Sequence, residues 1–128
     1  MTTWLTASWF EAARSQCDRP TRFESVDVRV QWELTGGSAG TVKVFSVVEG
    51  GRFASFGLGA LEDAEVTISL AETDARAINA GELDPSVAYM QGRMKATGSM
   101  RGILDLLTLL ASSEVRASQR WIAAITEY

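Results

Sequence analysis

The stretch VDVRVQWEL, residues 26–34, alternates apolar and polar side chains without a break. Its apolar members, Val26, Val28, Val30, Trp32 and Leu34, fall on one side of an extended chain. Since successive side chains of a strand point to opposite faces, one face of this strand should be buried and the other solvated. The stretch therefore predicts a β-strand in a largely antiparallel sheet.

Further strands are predicted from patterns of the same kind. Residues 41–49 carry apolar side chains on both faces, which predicts a central strand. The glycine pair that follows is a hairpin signal and leads into a strand at 52–58. Alternation then predicts a strand at 66–70 and a short one at 93–98. All but the last strand are predicted to form a meander over residues 25–70.

Apolar residues at helical spacing predict the remaining elements. One helix is expected over residues 3–17, with Thr2 or Thr3 as its N-cap. Two short helices are expected over 72–91, and two longer ones over 99–127. Because no linker or repeat interrupts the 128 residues, the chain is predicted to be a single α+β domain.

The ends of the short helices carry recognisable signals. Gly81 is expected to end the first of them in the left-handed conformation, and Asp84 is expected to cap the second, with Pro85 at its first position. Ser99 is expected to cap the longer helix that follows. These signals predict three helix boundaries.

The helix that follows Ser99 is apolar around most of its circumference. An arc of about 120° holds its main apolar set, which is Met100, Ile103, Leu104, Leu107, Leu110 and Ala111. Leu106 and Leu109 widen this arc to about 220°, more than one sheet face can cover. The helix is therefore expected either to be sandwiched between the sheet and the C-terminal helix, to line a cavity, or to present a membrane or dimer surface.

The composition argues against several classes of function. A formal net charge of −4 with scattered basic residues argues against a nucleic-acid partner. The chain has no histidine, and Cys17 is its only cysteine, so neither a disulfide nor a cysteine metal site is expected. Glu62, Asp63 and Glu65 are expected to be solvated in a hairpin. We therefore expect no metal, no cofactor and no catalytic site.

The first residues have no basic region ahead of an apolar run, and Glu11 interrupts them early. Neither a signal peptide nor a membrane span is expected there. Together with the single cysteine, this favours a soluble protein of the cytoplasm.

Residues 81–85 read GELDP, residues 88–95 read AYMQGRMK, and GSM follows at 98–100. These segments resemble the sterol-carrier-protein lipid-binding domain family, and the resemblance extends over residues 23–110. It implies a five-stranded sheet with helices packed on one face and an apolar tunnel between the layers. Fatty acids, acyl-CoA thioesters, phospholipids and sterols are the ligands that it implies, without covalent chemistry.

The resemblance also implies which residues contact the ligand. Gln91 would lie near the tunnel as a hydrogen-bond partner of a head group, and Met90 and Met94 would form part of the wall. Alternatively, Gln91 is a helix C-terminal residue that bonds to its own backbone. The residues predicted to contact the ligand are Trp32, Phe56, Ile68, Met90, Gln91, Met94, Met100, Ile103, Leu104 and Leu107.

The predicted function is non-catalytic binding and carriage of an apolar ligand. The expected partners are a lipid-like small molecule, a transient membrane contact and a second copy of the chain. One alternative is an accessory domain that presents lipid or quinone intermediates to an enzyme. Another is a small cone-shaped enzyme, for which Asp105 is the candidate base. The last helix, 114–127, is left open as a lid, a plug or a dimer contact.

Overall fold

The computed structural model describes residues 1–17, 21–38 and 40–128. In chain order the elements are β1 (Thr2–Thr3), α1 (Ala7–Cys17), β2 (Val28–Gly37), β3 (Gly40–Glu49), β4 (Arg52–Leu58), β5 (Val66–Ala71), α2 (Glu72–Asn79), α3 (Pro85–Met90), β6 (Met94–Gly98), α4 (Met100–Leu110), α5 (Ser113–Ile125) and β7 (Thr126–Glu127).

In the described part of the chain the main sheet has five strands, in the order β4-β3-β2-β5-β6. The pairs β2–β3, β3–β4 and β5–β6 are antiparallel, whereas β2 and β5 run parallel. The prediction of an α+β fold with a mostly antiparallel five-stranded sheet is confirmed. The predicted meander is wrong at its last step, because β5 pairs with β2 on the side away from β3 and β4.

The connection from β4 to β5 is held against the sheet by Gln31 of β2. The side-chain amide of Gln31 donates to the carbonyl oxygens of Val44 and Gly59, at 3.0 Å each. Its carbonyl oxygen accepts from the backbone N–H of Leu61 at 2.6 Å. An amide can do this because it carries two donors and an acceptor at one end. The buried Gln31 therefore fixes the crossover that makes β5 parallel to β2.

The helices cover the face of the sheet that carries Val30, Trp32 and Ile68, which we call the inner face. Helix α4 packs on β2 and β6 at the β6 side of this face. Gly102 of α4 lies against Val66 and Val28, and a Cβ atom there would be 2.9 Å and 3.2 Å from their Cγ2 atoms. The absence of a side chain at Gly102 is therefore what allows α4 to approach the sheet so closely.

The side of α4 that faces the core differs from the predicted arc. Ile103, Leu106 and Leu109 are buried, whereas Met100 and Leu104 are 62% and 56% exposed. The buried side is centred near Gly102 and Leu106, a rotation of about 100° from the predicted centre. The count of apolar residues predicted the wrong centre for the buried side of α4, because the residue of α4 that lies closest to the sheet is a glycine, Gly102.

Helix α1 begins at Ala7, later than the predicted start at residue 3. Thr3 belongs to β1, and Thr6 takes the capping position that was predicted for Thr2 or Thr3. The backbone carbonyl of Thr6 accepts from Phe10 N at 3.0 Å, and its hydroxyl oxygen accepts from Trp9 N at 3.4 Å. The first three residues are extended because they pair with the other end of the chain.

The last helix ends at Ile125 and not at the predicted residue 127, because Thr126 and Glu127 form β7. The three helix boundaries that were predicted from local signals are confirmed. The Asp84 carboxylate accepts from Ser86 N at 2.8 Å at the start of α3, and the Ser99 hydroxyl accepts from Gly102 N at 3.1 Å at the start of α4. Gly81 follows α2 with a φ of 80°, in the left-handed region. These local signals were sufficient because each boundary is set by a side chain or glycine within the same few residues.

The strands β1 and β7 form a parallel pair in which Thr2 lies opposite Thr126. They bring the start of α1 next to the end of α5, and these two helices also contact each other. Among the described residues, no helix is both long and apolar enough to cross a bilayer.

Candidate ligand-binding cavity

A cavity of about 500 Å³ lies between the inner face of the sheet and helices α1, α2 and α5. The half of the sheet formed by β4, β3 and β2 is its floor, contributing Trp32, Leu34, Val44, Ser46, Phe53 and Phe56. The helices form its walls and roof. From α1 come Trp9, Phe10 and Ala13, from α2 Ala75 and Ile78, and from α5 Val115, Ser118 and Ile122. Its size is within the range of small-molecule binding sites.

Aromatic rings form the wall on the α1 side. Trp4 and Trp9 pack edge to face with centroids 4.9 Å apart, and Phe10 packs edge to face on Trp9 at 5.0 Å. Phe56 of β4 lies 6.1 Å from Phe10 and continues the cluster onto the sheet. These spacings are those of favourable aromatic pairs. The wall is therefore apolar and well packed.

The floor contains one buried polar pair. The indole N–H of Trp32 on β2 donates to the hydroxyl oxygen of Ser46 on β3, 2.9 Å away. Ser46 is only 5% exposed and lies opposite Val30 and Phe56 in the sheet. The bond satisfies the tryptophan nitrogen inside an apolar site.

Other polar side chains in the lining already donate to protein atoms. Ser118 donates to the carbonyl of Gln16 at 2.9 Å, and Thr21 donates to the carbonyl of Gly51 at 2.9 Å. The Asn79 amide donates to the hydroxyl of Tyr128 at 2.8 Å. The Gln119 amide donates to the carbonyl of Ile78. These side chains connect the elements around the cavity.

At one edge of the cavity Glu114, at the start of α5, contacts Arg22. The Glu114 carboxylate accepts from the backbone N–H of Arg22 at 3.2 Å, and the Arg22 guanidinium is 3.7 Å away. The Arg22 backbone N–H, and then Glu114's own N–H and the Ser113 hydroxyl, hold the pKa of Glu114 below its ordinary value. The carboxylate is therefore ionised at neutral pH.

Only some of the residues predicted to contact the ligand line the cavity. Trp32 and Phe56 are in its lining. Three others are buried in the core outside the lining, namely Ile68, Met94 and Ile103. Four are exposed on the surface outside it, namely Met90, Gln91, Met100 and Leu104. Leu107 is half-buried and borders, with Leu104, a shallow groove beside Phe23. For the residues outside the lining, a role in ligand contact stays a prediction.

The position of α3 and α4 explains this division. Both helices lie on the β6 side of the sheet, where α4 fills the space over Val28 and Val66. The cavity remains over β4, β3 and β2, and of the described α4 residues only Leu110, near the end of the helix, is in its lining. Gln91 is the C-terminal cap of α3, and its side-chain oxygen accepts from Arg93 at 3.4 Å.

The cavity residues on α1, α2 and α5 were not among those predicted from the sequence. A signal was present at the start of the chain, where the large aromatic residues Trp4, Trp9 and Phe10 fall within seven positions in and just before α1. The last helix, left open as a lid, a plug or a dimer contact, covers the cavity through Val115, Ser118 and Ile122.

Asp105, the candidate base of the enzyme alternative, lies outside the cavity lining. Its side chain is 37% exposed and is 3.8 Å from Arg101. Among the described residues, no group of three or more cysteine or carboxylate side chains is placed to hold a metal ion.

Comparison with known proteins identifies the family of this chain. The family model described as the SCP-2 sterol transfer family matches residues 10–111. The chain belongs to this family. The matched range includes the whole five-stranded sheet and helices α2 to α4, whereas α5, which covers the cavity, lies beyond it.

Individual matches of this SCP-2 family chain include a curated lipid-transfer protein and several solved structures. It is 30% identical over 81 residues to non-specific lipid-transfer protein-like 1 of Caenorhabditis elegans, a match of 63% of this chain and 69% of the relative. The crystal structure of sterol carrier protein 2 superposes with a TM-score of 0.69 at 17% identity and covers 90% of this chain and 96% of that one.

The stereoselective inverting sec-alkylsulfatase Pisa1 of a Pseudomonas species superposes with a TM-score of 0.51 at 22% identity. The match covers 69% of this chain but spans only 13% of the length of Pisa1. At these identities the solved structures show that the fold is shared.

Proposed function

We propose that this protein binds an apolar, lipid-like molecule in the cavity between the sheet and helices α1, α2 and α5, and carries it without changing it chemically. The observation that supports this most directly is the cavity of about 500 Å³ with aromatic and aliphatic walls. Membership of the SCP-2 sterol transfer family and the lipid-transfer name of the nematode relative point the same way. The compartment that we propose is the cytoplasm.

The driving force would be the removal of hydrocarbon from water. Each buried methylene group contributes roughly 0.8 kcal/mol, so a chain of about fourteen carbons would gain on the order of 10 kcal/mol before the costs of binding. A bilayer offers nearly the same gain. A carrier therefore needs only to match the bilayer to take up and release its ligand, which requires no chemical step.

Filling the cavity should abolish binding. Val44 is half-buried, lines the cavity and lies on β3, the middle of the three floor strands, and Val44→Phe would add most of a phenyl ring to that space. We expect uptake of the neutral fluorescent probe N-phenyl-1-naphthylamine to fall at least tenfold, since the probe and the new ring compete for one volume. Ala124→Phe is the matched control, because Ala124 is exposed on α5 outside the cavity lining.

Two results would contradict the proposal. One is equal probe uptake by Val44→Phe and wild type, with both folded by circular dichroism. The other is the absence of any co-purified apolar molecule in native mass spectrometry together with no probe uptake by the wild type. Retention of a fatty acid, sterol or other lipid by the purified protein would identify the ligand.

We also propose that exchange occurs at an anionic membrane surface through the side of α3 and α4. Met90, Met100 and Leu104 are 76%, 62% and 56% exposed there. Residues 86–104 contain no acidic residue, although the chain has more acidic than basic residues overall. Their basic side chains, Arg93, Lys95 and Arg101, are exposed. Arg93 and Arg101 are also 3.3 Å and 3.8 Å from the carboxylates of Asp74 and Asp105, which anionic head groups would have to displace. Each basic residue near an anionic bilayer contributes about 1 kcal/mol, and exposed methionines add apolar contact.

Vesicle sedimentation can test this contact. The double variant Met90→Asp with Leu104→Asp should lose most of its binding to phosphatidylcholine vesicles that contain phosphatidylserine, relative to wild type. Leu58→Asp is the control, because Leu58 is 54% exposed but lies on β4, at the opposite edge of the sheet. Equal binding of the two variants, or a change in oligomeric state instead of vesicle binding, would contradict the membrane contact.

A second candidate function is a domain that presents a lipid to an enzyme. It is favoured by the match to Pisa1, in which the similar region is a small part of an enzyme chain. The two candidates differ in what the purified protein does alone. A free carrier moves labelled lipid between vesicles without a partner, whereas a presenting domain binds the lipid but transfers it only to its enzyme.

A further inference from the structure

We propose that Ser46, oriented by Trp32, is the hydrogen-bond anchor of the cavity and selects apolar ligands that carry an uncharged oxygen, such as a ketone, an ester or an alcohol. This inference rests on the proposed function and names the class of ligand. It begins with the bond from the Trp32 indole to the Ser46 hydroxyl oxygen, 2.9 Å long.

The direction of that bond leaves the Ser46 hydrogen free. A serine hydroxyl has one hydrogen to donate and two lone pairs to accept with, and its hydrogen rotates to suit its partners. Here Trp32 takes up one lone pair. In the part of the chain that the structure describes, the hydroxyl hydrogen of Ser46 has no acceptor. Ser46 is 5% exposed and lies in the cavity floor, so the acceptor that completes it is supplied by whatever fills the cavity.

Other donors around the cavity do not compete for this role. The hydroxyls of Ser118 and Thr21 donate to carbonyl oxygens at 2.9 Å each. The Asn79 and Gln119 amides likewise donate to protein oxygens. The indole nitrogen of Trp4 has no partner among the described residues, but it is fully buried within the aromatic wall.

The charge of the ligand follows from the same geometry. A carboxylate at Ser46 would receive one hydrogen bond from a neutral hydroxyl, which does not offset the loss of its hydration. The charged side chain in the described lining, Glu114, is acidic and already paired with Arg22, so the lining offers a carboxylate no compensating positive charge. A carbonyl or hydroxyl oxygen has a far smaller desolvation cost, and one hydrogen bond offsets much of it. Neutral oxygenated lipids are therefore preferred over fatty-acid anions.

Removing one residue of the pair is not enough to test the anchor. In Ser46→Ala the Trp32 indole loses its acceptor and becomes a free donor in the floor of the cavity. In Trp32→Phe the Ser46 hydroxyl remains as a donor. The decisive variant is the double substitution Ser46→Ala with Trp32→Phe, which removes both donors and keeps the floor apolar. Ser69→Ala is the control, because Ser69 lies on the outer face of β5, between Ile68 and Leu70 of the inner face.

The experiment is a displacement titration of N-phenyl-1-naphthylamine with hexanophenone, hexylbenzene and 6-phenylhexanoate. The first two share one carbon skeleton and differ only in the carbonyl oxygen, so their affinity ratio, compared between variants, cancels differences in water solubility. We expect this ratio to fall about fivefold from wild type to the double variant, equivalent to about 1 kcal/mol for one hydrogen bond. It should be unchanged in Ser69→Ala, and 6-phenylhexanoate should bind wild type weakest.

The outcomes separate this inference from the proposed function. If the probe binds and is displaced, but the ratio is the same in wild type and the double variant, Ser46 is not an anchor although the cavity binds ligands. Stronger binding of 6-phenylhexanoate than of hexanophenone would also overturn the preference for neutral oxygen. If neither the probe nor any competitor binds wild type, the proposed function itself fails.

Discussion

The indole nitrogen of Trp9 in α1 donates to the hydroxyl oxygen of Thr126 in β7, 2.9 Å away and buried. Thr126 also accepts from the Asn79 amide at 3.2 Å and donates to the carbonyl of Ile122 at 2.6 Å. One hydroxyl thus joins α1, α2 and α5 behind the aromatic wall of the cavity. The Thr126 hydroxyl therefore stabilises the helices that form the roof of the cavity, in addition to their apolar contacts.

We predict that Thr126→Val lowers the free energy of unfolding by about 1–3 kcal/mol, because it leaves the buried Trp9 N–H without an acceptor while keeping the side-chain shape. Urea denaturation with an unchanged m-value measures the loss. The control is Thr97→Val on the exposed edge of β6, which should change stability by about 0.5 kcal/mol or less. Equal losses in the two variants would show that the Trp9–Thr126 bond contributes little.

Gly102→Ala should destabilise the protein although alanine is the better helix former. The new Cβ would lie 2.9 Å from Val66 Cγ2, so α4 or Val66 must shift. Overpacking of this kind costs about 1–3 kcal/mol, against roughly 1 kcal/mol gained in helix propensity. Thermal unfolding of Gly102→Ala, Val66→Ala and the double variant measures the coupling.

The double variant of that cycle should be more stable than the sum of the single effects by at least about 0.5 kcal/mol, because Val66→Ala makes room for the added methyl group. If the effects of the two single substitutions simply add, Gly102 is not the point at which α4 packs on β5. The rotation of the buried side of α4 would then need another cause.

Acid should weaken the contact between Arg22 and Glu114. The pKa of Glu114 in the folded protein is below its ordinary value of 4.5, so the stabilisation from this contact is complete above the unfolded pKa and is lost as the pH falls through the folded pKa. Glu114→Gln removes the dependence. The difference in unfolding free energy between wild type and Glu114→Gln should therefore shrink from about pH 6 to about pH 3. A constant difference would contradict the assignment.

A bound ligand should stabilise the fold by mass action. If hexanophenone fills the cavity, a concentration near one hundred times its dissociation constant should raise the free energy of unfolding by about 2.7 kcal/mol. Differential scanning fluorimetry of wild type and Val44→Phe gives the measurement and its control. A rise of equal size in both would place the binding site outside the cavity.

Local signals in the sequence were sufficient for most elements of the fold. The alternation around Val30 and the caps at Asp84 and Ser99 predicted strands and helices because each depends on residues close in the chain. The parallel pairing of β5 with β2 was not predictable in this way. It depends on the connection between β4 and β5, which is hydrogen-bonded to the side chain of Gln31, about thirty residues earlier in the chain.

The cavity was harder to predict than the fold. Its floor residues Trp32 and Phe56 belong to the predicted set, since alternation identifies the inner face. The helix residues above that face were assigned from the family resemblance and from the wide apolar arc of α4, which included Leu104 and left out Phe10. A glycine gives no signal in such a count, and Gly102 is what seats α4 away from the cavity.

The unequal covering of the sheet has a consequence for how the molecule opens. The backbone amides of Val28, Val66 and Met94 lie beneath the closely packed α4 and should exchange their hydrogens for deuterium only on global unfolding. Amides of α1 and α5 lie beside empty volume and should exchange by smaller, more frequent openings. Ligand binding should then slow exchange only at the amides of α1 and α5. The slow amides beneath α4 serve as an internal reference within the same deuterium-labelling experiment.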